Sequence, residues 1–166
     1  MNRINQDGRD DQFISYIVNN NTGTKIKFPV MPSNISESVS ANFTQQDIVG
    51  ASIPRIVYSS TSAQSISLSL QNLTEDYIVS GFSSLNEYVR ALKALPYPSY
   101  PGAGIVKSPD LTLVLGNNTI SCVCTSVNIT WGNLVKEQNI TTCNVEMSFL
   151  RTRDSVPGAT DIELKG

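Results

Sequence analysis

The stretch AQSISLSLQNL, Ala63 to Leu73, decides the fold. Ile66, Leu68 and Leu70 alternate with Ser65, Ser67 and Ser69. Successive side chains of an extended chain point to opposite faces, so this period of two makes one apolar face and one hydroxyl face. On a helix the same residues would be scattered around the axis. The segment is therefore read as a half-buried β-strand.

Working outward, the same pattern recurs. In TTCNVEMSFLRTR, Thr141 to Arg153, the residues Cys143, Val145, Met147 and Phe149 alternate with Thr142, Asn144, Glu146 and Ser148. LTLVLG, Leu111 to Gly116, is a further strand followed by an Asn-Asn turn. TISCVCTSVNITWGN, Thr119 to Asn133, changes phase. Ile120, Cys122 and Cys124 fall on even positions, whereas Val127, Ile129 and Trp131 fall on odd ones. A one-residue slip exchanges faces, so a β-bulge is expected near Thr125–Ser126.

Upstream, FISYIV (Phe13 to Val18) and TKIKFPV (Thr24 to Val30) flank the turn signal NNNTG and form a hairpin. Pro29 removes a ladder donor, which places this strand at an edge or ends it, and Pro32 enforces the end. SESVSANFTQ, Ser36 to Gln45, reads as one long strand with Val39, Ala41 and Phe43 on one face and Ser38, Ser40 and Asn42 on the other. The next segment, Asp47 to Thr61, is expected to bend at Gly50 and break at Pro54.

SSLNEYVRALKALPYP, Ser83 to Pro98, switches to helical spacing through Leu85, Tyr88, Val89, Leu92 and Leu95. Ser84 and Glu87 have the spacing of a capping box, and Pro96 and Pro98 stop the helix. YPSYPGAGIVKSPD, Tyr97 to Asp110, reads as a long irregular connection. Strands, one unrepeated helix and more strands exclude a doubly wound parallel sheet. The expected fold is mainly β: an antiparallel two-sheet sandwich or split β-barrel with one flanking α-helix. Residues 1–12 are expected to form a flexible arm, 13–153 the β domain and 154–166 a loose tail.

Composition narrows the function. The chain has 166 residues, a formal net charge of −2 and only 16% charged residues, with Ser, Thr and Asn in their place. Few fixed charges suit a surface that meets other protein. The 12 basic residues are scattered, which argues against nucleic-acid recognition. No window approaches the ~20 apolar residues of a membrane span, and the polar N-terminus lacks the apolar stretch of a signal peptide. Synthesis in a cytoplasm is expected. The sequons at Asn20, Asn34, Asn42, Asn72, Asn117, Asn128 and Asn139 are then by-products of composition.

Catalytic chemistry finds little footing. The absence of histidine excludes Ser-His-Asp and Cys-His catalysis and removes the commonest zinc ligand. No phosphate-binding loop or nucleophile elbow is present. Cys122, Cys124 and Cys143 could form a metal or redox site, but they lack a Cys-x-x-Cys knuckle and read better as small buried apolar residues. Asp10 with Asp11, and Glu75 with Asp76, read as solvated loop acids rather than acid/base pairs. Trp131, Tyr97 and Tyr100 could stack on a sugar, or else complete the core and pack over the helix. No cofactor and no enzymatic activity are expected.

The order of motifs carries a resemblance. FPVMPSNI, then IVG at Ile48–Gly50, SISLSL, a helix ending ALPYP, LTLVLG, SVNITW and VEMSFLR together resemble the N-terminal domain of LysM-carrying baseplate proteins of contractile phage tails and phage-like particles. The resemblance spans Ile26 to Arg153. It implies a tube-like split barrel whose copies form a ring joining the tail tube to the baseplate hub and spike of a virion. It also implies a homo-oligomer with hub, tube and spike proteins as partners. Only a short tail follows Arg153, so no LysM module is expected. Assembly contacts are expected at Pro29, Met31, Pro32, Tyr97, Tyr100 and Ile105, where broken edges and loops are free to pair. The alternatives are the tail tube protein itself and a carbohydrate- or peptidoglycan-binding β module.

Overall fold

The computed structural model describes residues 15–50, 52–75, 81–132, 134–135, 139–140 and 142–152. The expected arm at 1–12, the whole tail at 154–166 and the start of FISYIV lie outside them. The described chain is mostly antiparallel β with one helix, as its residue periods require.

The principal sheet has seven strands: β1 (Tyr16–Asn19), β2 (Lys25–Lys27), β3 (Ser33–Ser38), β6 (Ser65–Thr74), β9 (Leu111–Leu115), β10 (Asn118–Trp131) and β13 (Thr142–Arg151). Their order is β2-β1-β9-β10-β13-β6-β3. All the pairs are antiparallel. The two end strands do not pair with each other, so no closed barrel forms.

Ile66, Leu68 and Leu70 are buried, as the opening stretch demands, and they stand opposite Phe149, Met147 and Val145 of β13. The register between β10 and β13 shifts between Cys124 and Ser126, where the phase change in the sequence puts the bulge. This shift keeps Cys122 and Cys124 on the core face while letting Ile129 and Trp131 pack against the same core. At Gly132 the chains approach closely. Its N–H donates to the Thr142 carbonyl at 2.8 Å, and a Cβ there would collide with the Thr142 side chain.

Helix α1 (Leu85–Lys93) lays Leu85, Tyr88, Val89 and Leu92 on the core. Ser84 caps it by accepting from the Glu87 N–H at 3.2 Å. The Glu87 carboxylate does not reach back to Ser84; it accepts from the N–H and hydroxyl of Ser83, which hold its pKa low. The Tyr88 hydroxyl donates to the Lys27 carbonyl at 3.0 Å and ties the helix to the end of β2. Ser84→Ala is expected to cost about 1 kcal/mol, because one orphan N–H loses its acceptor. Urea denaturation followed by circular dichroism measures it.

The two sheet edges differ. β2 is short, carries Lys25 and Lys27, and is followed by Pro29, all devices that discourage strand addition. β3 at the far edge is longer and has one charge, Glu37, which accepts from Gln64 Nε2 at 2.7 Å.

Two elements depart from expectation. The stretch read as one long strand is two, β3 and β4 (Ala41–Gln46), separated at Val39–Ser40. β4 leaves the main sheet and pairs with β5 (Arg55–Thr61), so β3–β4 and β5–β6 form one long bent ribbon. The physical reason is a shifted register on each side of the join. Ser33 opposes Ser69, but Ser36 opposes Ser67, which leaves one extra residue on β3. Ser38 opposes Ser65, whereas Ser40 bonds Ser62, which leaves an extra residue on the other strand. Bulges bend a ribbon. Serine hydroxyl pairs bridge the bend at Ser36–Ser67 (2.6 Å), Ser38–Ser65 (2.6 Å) and Ser40–Ser62 (2.8 Å). The second departure is the connection after the helix, which is not irregular. It holds a small hairpin, β7 (Ser99–Gly102) with β8 (Ile105–Lys107). Short strands β11 (Leu134–Val135) and β12 (Asn139–Ile140) form a third ribbon.

Candidate assembly surface

The residues that could do chemistry are dispersed or sealed. Cys122, Cys124 and Cys143 are free and buried. Cys124 opposes Phe149 while Cys143 opposes Trp131, seven residues farther along β10. At ~3.3 Å per residue the third thiol lies roughly 20 Å from the pair. Among the described residues no group of three or more Cys, Asp or Glu could hold a metal ion. Burial pushes the thiols up, Cys122 to about 12 and Cys124 and Cys143 to about 11. Desolvation disfavours the thiolate, so these are not activated nucleophiles.

This has a pH consequence. Between the ordinary thiol value and about 11, an unfolded chain releases thiol protons that the folded chain retains. Fewer protons bound to the unfolded state means that stability falls as pH rises. The thermal midpoint is therefore expected to drop from pH 9 to pH 11, and replacing Cys122 by Ala should flatten part of that slope. Calorimetry across this range measures it.

The acidic pairs give no site. Glu75 is exposed, while Asp76, Asp10 and Asp11 lie outside the described residues. A shallow depression of about 320 Å³ is lined by Asn72, Thr130, Trp131, Gly132, Thr142, Cys143 and Asn144, with no charged side chain. The left-handed Asn72 (φ 55°) donates its N–H to Asn144 Oδ1 at 2.8 Å. Trp131 stands opposite the buried Cys143 and packs against the core, with Lys93 Nζ 5.7 Å from its ring centroid.

What the chain does present is apolar surface. On the β4–β5 arm, pairing sets Phe43 opposite Tyr58 and Gln45 opposite Ile56 on one face. Thr44, Gln46 and Arg55 take the other by alternation, with one apolar residue, Val57, opposite Thr44. Among the described residues the apolar face does not pack on the core: Phe43 is 58% exposed and Tyr58 56%. Their rings meet edge to face at 5.8 Å. The arm's tip adds exposed Ile48, Val49 and Ile53. Sequence periodicity placed Phe43 on an apolar face but not Tyr58 or Ile56 beside it, and alternation is identical whether the covering layer belongs to the same chain or to another.

Of the residues singled out as contacts, Tyr97 and Tyr100 are each 72% exposed, and Met31 and Ile105 are also exposed. Pro29 is half-buried and Pro32 is buried at the start of β3. Tyr97, Tyr100 and Ile105 come together around the β7–β8 hairpin, whereas Met31 stands on the approach to β3. The arm was missed. Its signal was a run of apolar residues around Gly50 and Pro54 with almost no charge.

No protein-family model matches this chain, and no curated protein does. Among solved structures it is similar to a chain in the tail of an empty GTA particle of C6 symmetry, at 12% identity and a TM-score of 0.45, covering 90% of this chain and 96% of that one. It is similar to a chain in the virion of the native gene transfer agent particle, at 13% identity and 0.43, covering 90% and 95%. It is also similar to a chain in the six-fold symmetrised baseplate of the anti-feeding prophage, at 12% identity and 0.43, covering 92% and 95%. TM-scores below 0.5 mark partial overlap of folds, and identities this low give no residue-level correspondence.

Proposed function

We propose that this chain is a non-enzymatic structural protein of a contractile phage tail, assembling as a ring that joins the tail tube to the baseplate hub and spike. The observation that carries the reading is the unpartnered apolar face of β4–β5. A two-stranded ribbon on its own is marginally stable in water, and neighbouring exposed apolar residues such as Phe43, Tyr58 and Ile56 suit a protein contact. The motif order from Ile26 to Arg153 supports the particular setting. The scarcity of charge supports it too, because subunits packed side by side must desolvate their flanks.

The test is assembly. Purified protein at rising concentration, alone and with tube and hub proteins of the same particle, is followed by light scattering and negative-stain imaging. Closed rings are the expected result, and long polymers would assign the chain to the tube itself. A monomer that ignores both partners at every concentration would sink the reading.

A further inference from the structure

The described chain stops at Thr152, at the foot of the β4–β5 arm. β13 runs toward that arm: Leu150 stands opposite Ser65, and the Arg151 N–H donates to the Gln64 carbonyl at 2.9 Å. Gln64 lies just below the Ser40–Ser62 pair where the arm begins. Residues 153–166 therefore set out from the base of the exposed apolar face. They include TDIELK, Thr160 to Lys165, in which Ile162 and Leu164 alternate with Asp161, Glu163 and Lys165. That is the period of a strand with one apolar face. We propose that Thr160–Lys165 lies over the Phe43–Tyr58 face of its own chain and withholds it until a neighbouring subunit displaces the cover. This rests on the assembly reading above and adds the regulation of that same surface.

Three observations carry it. The first is reach. From Gln64 to Tyr58 is about 20 Å of strand at ~3.3 Å per residue. From Thr152 to Ile162 the chain can span up to ~33 Å when extended. The segment arrives with slack, and the turn signal Pro157-Gly158 can absorb it. The second is spacing. On the arm, Phe43 with Tyr58 and Gln45 with Ile56 are successive pairs two residues apart on one face. Ile162 and Leu164 are also two apart. A strand laid from base to tip sets Ile162 against the Phe43–Tyr58 rings and Leu164 against Ile56. The third is tethering. A segment held on a short linker meets its site at an effective concentration in the mM range, which a second copy in dilute protein does not match. The cover is still weak, because two apolar side chains must offset the ordering of a whole segment. It opens without unfolding the sheet, and so yields to a subunit held by further contacts.

The test runs on dilute monomer, where no assembly is needed. Two double variants of the full chain are compared, Gln45→Cys with Lys165→Cys and Thr44→Cys with Lys165→Cys. Gln45 lies on the apolar face of the arm and Thr44 on the opposite face, and both are exposed. The three native thiols are buried and do not compete. A short bis-maleimide is added, and the linked peptides are read by mass spectrometry. The expected result is an intrachain link formed at least tenfold faster from position 45 than from position 44. Equal rates would show a segment tethered but not docked, and would overturn the proposal. So would links formed only between chains. Both results leave the assembly reading standing. In the second arm of the test, a chain stopped after Ala159 is expected to assemble at a concentration at least threefold below that of the full chain. Assembly at an equal or higher concentration would overturn the proposal. If neither chain assembles with tube and hub proteins, the assembly reading fails and the regulatory role fails with it, whatever the cross-link shows.

Discussion

Replacing Phe43 and Tyr58 together by Asp is expected to abolish assembly while leaving the fold intact. The two rings form the centre of the arm's apolar face and touch none of the buried core. Truncating one aromatic anchor at an interface centre typically costs ~2 kcal/mol or more, about 30-fold in association. Two such losses, with two carboxylates that must be desolvated to dock, should weaken association by on the order of 1000-fold or more. Sedimentation velocity reads the loss, and an unchanged thermal midpoint shows that the body of the protein is untouched. A falling midpoint would mean that the arm packs on the body of its own chain after all.

Phe149→Ala is the opposite case: the largest expected loss of stability, from a residue that meets no neighbouring copy. Phe149 is fully buried in β13, flanked by Cys124 on β10 and Ile66 on β6, so it lies at the middle of the sheet. Removing a buried phenyl ring costs roughly 3–5 kcal/mol, from lost transfer energy and the cavity left behind. Against a total of about 5–15 kcal/mol, that takes a large share of the margin. Denaturant titration should show an earlier midpoint at unchanged slope. A loss under 1 kcal/mol would mean that the core has collapsed around the gap.

These two phenylalanines also show what the sequence could and could not tell. Both sit on the apolar side of an alternating stretch, and by periodicity alone they are equivalent. Phe149 belongs to a strand with partners on both sides; Phe43 belongs to a ribbon that has left the sheet. The difference arises from the two register shifts flanking Ser36–Ser38. Such shifts were visible in β10, where apolar residues change parity at Thr125. They were invisible here, because serines occupy both strands and a Ser–Ser pair reads the same in either register. The helix was legible for the converse reason: its apolar spacing and its flanking Ser84 and Pro96 agree. The β7–β8 hairpin was hidden by Pro101 and two glycines, residues that usually signal irregular chain.

The sealed sulfurs have a consequence for any array of this protein. Every cysteine in the chain lies behind the sheet, and none stands at a projection or an edge. However many copies crowd together in an oxidising medium, no sulfur of one can reach that of another. No disulfide can therefore join one copy to another for as long as each subunit keeps its shape.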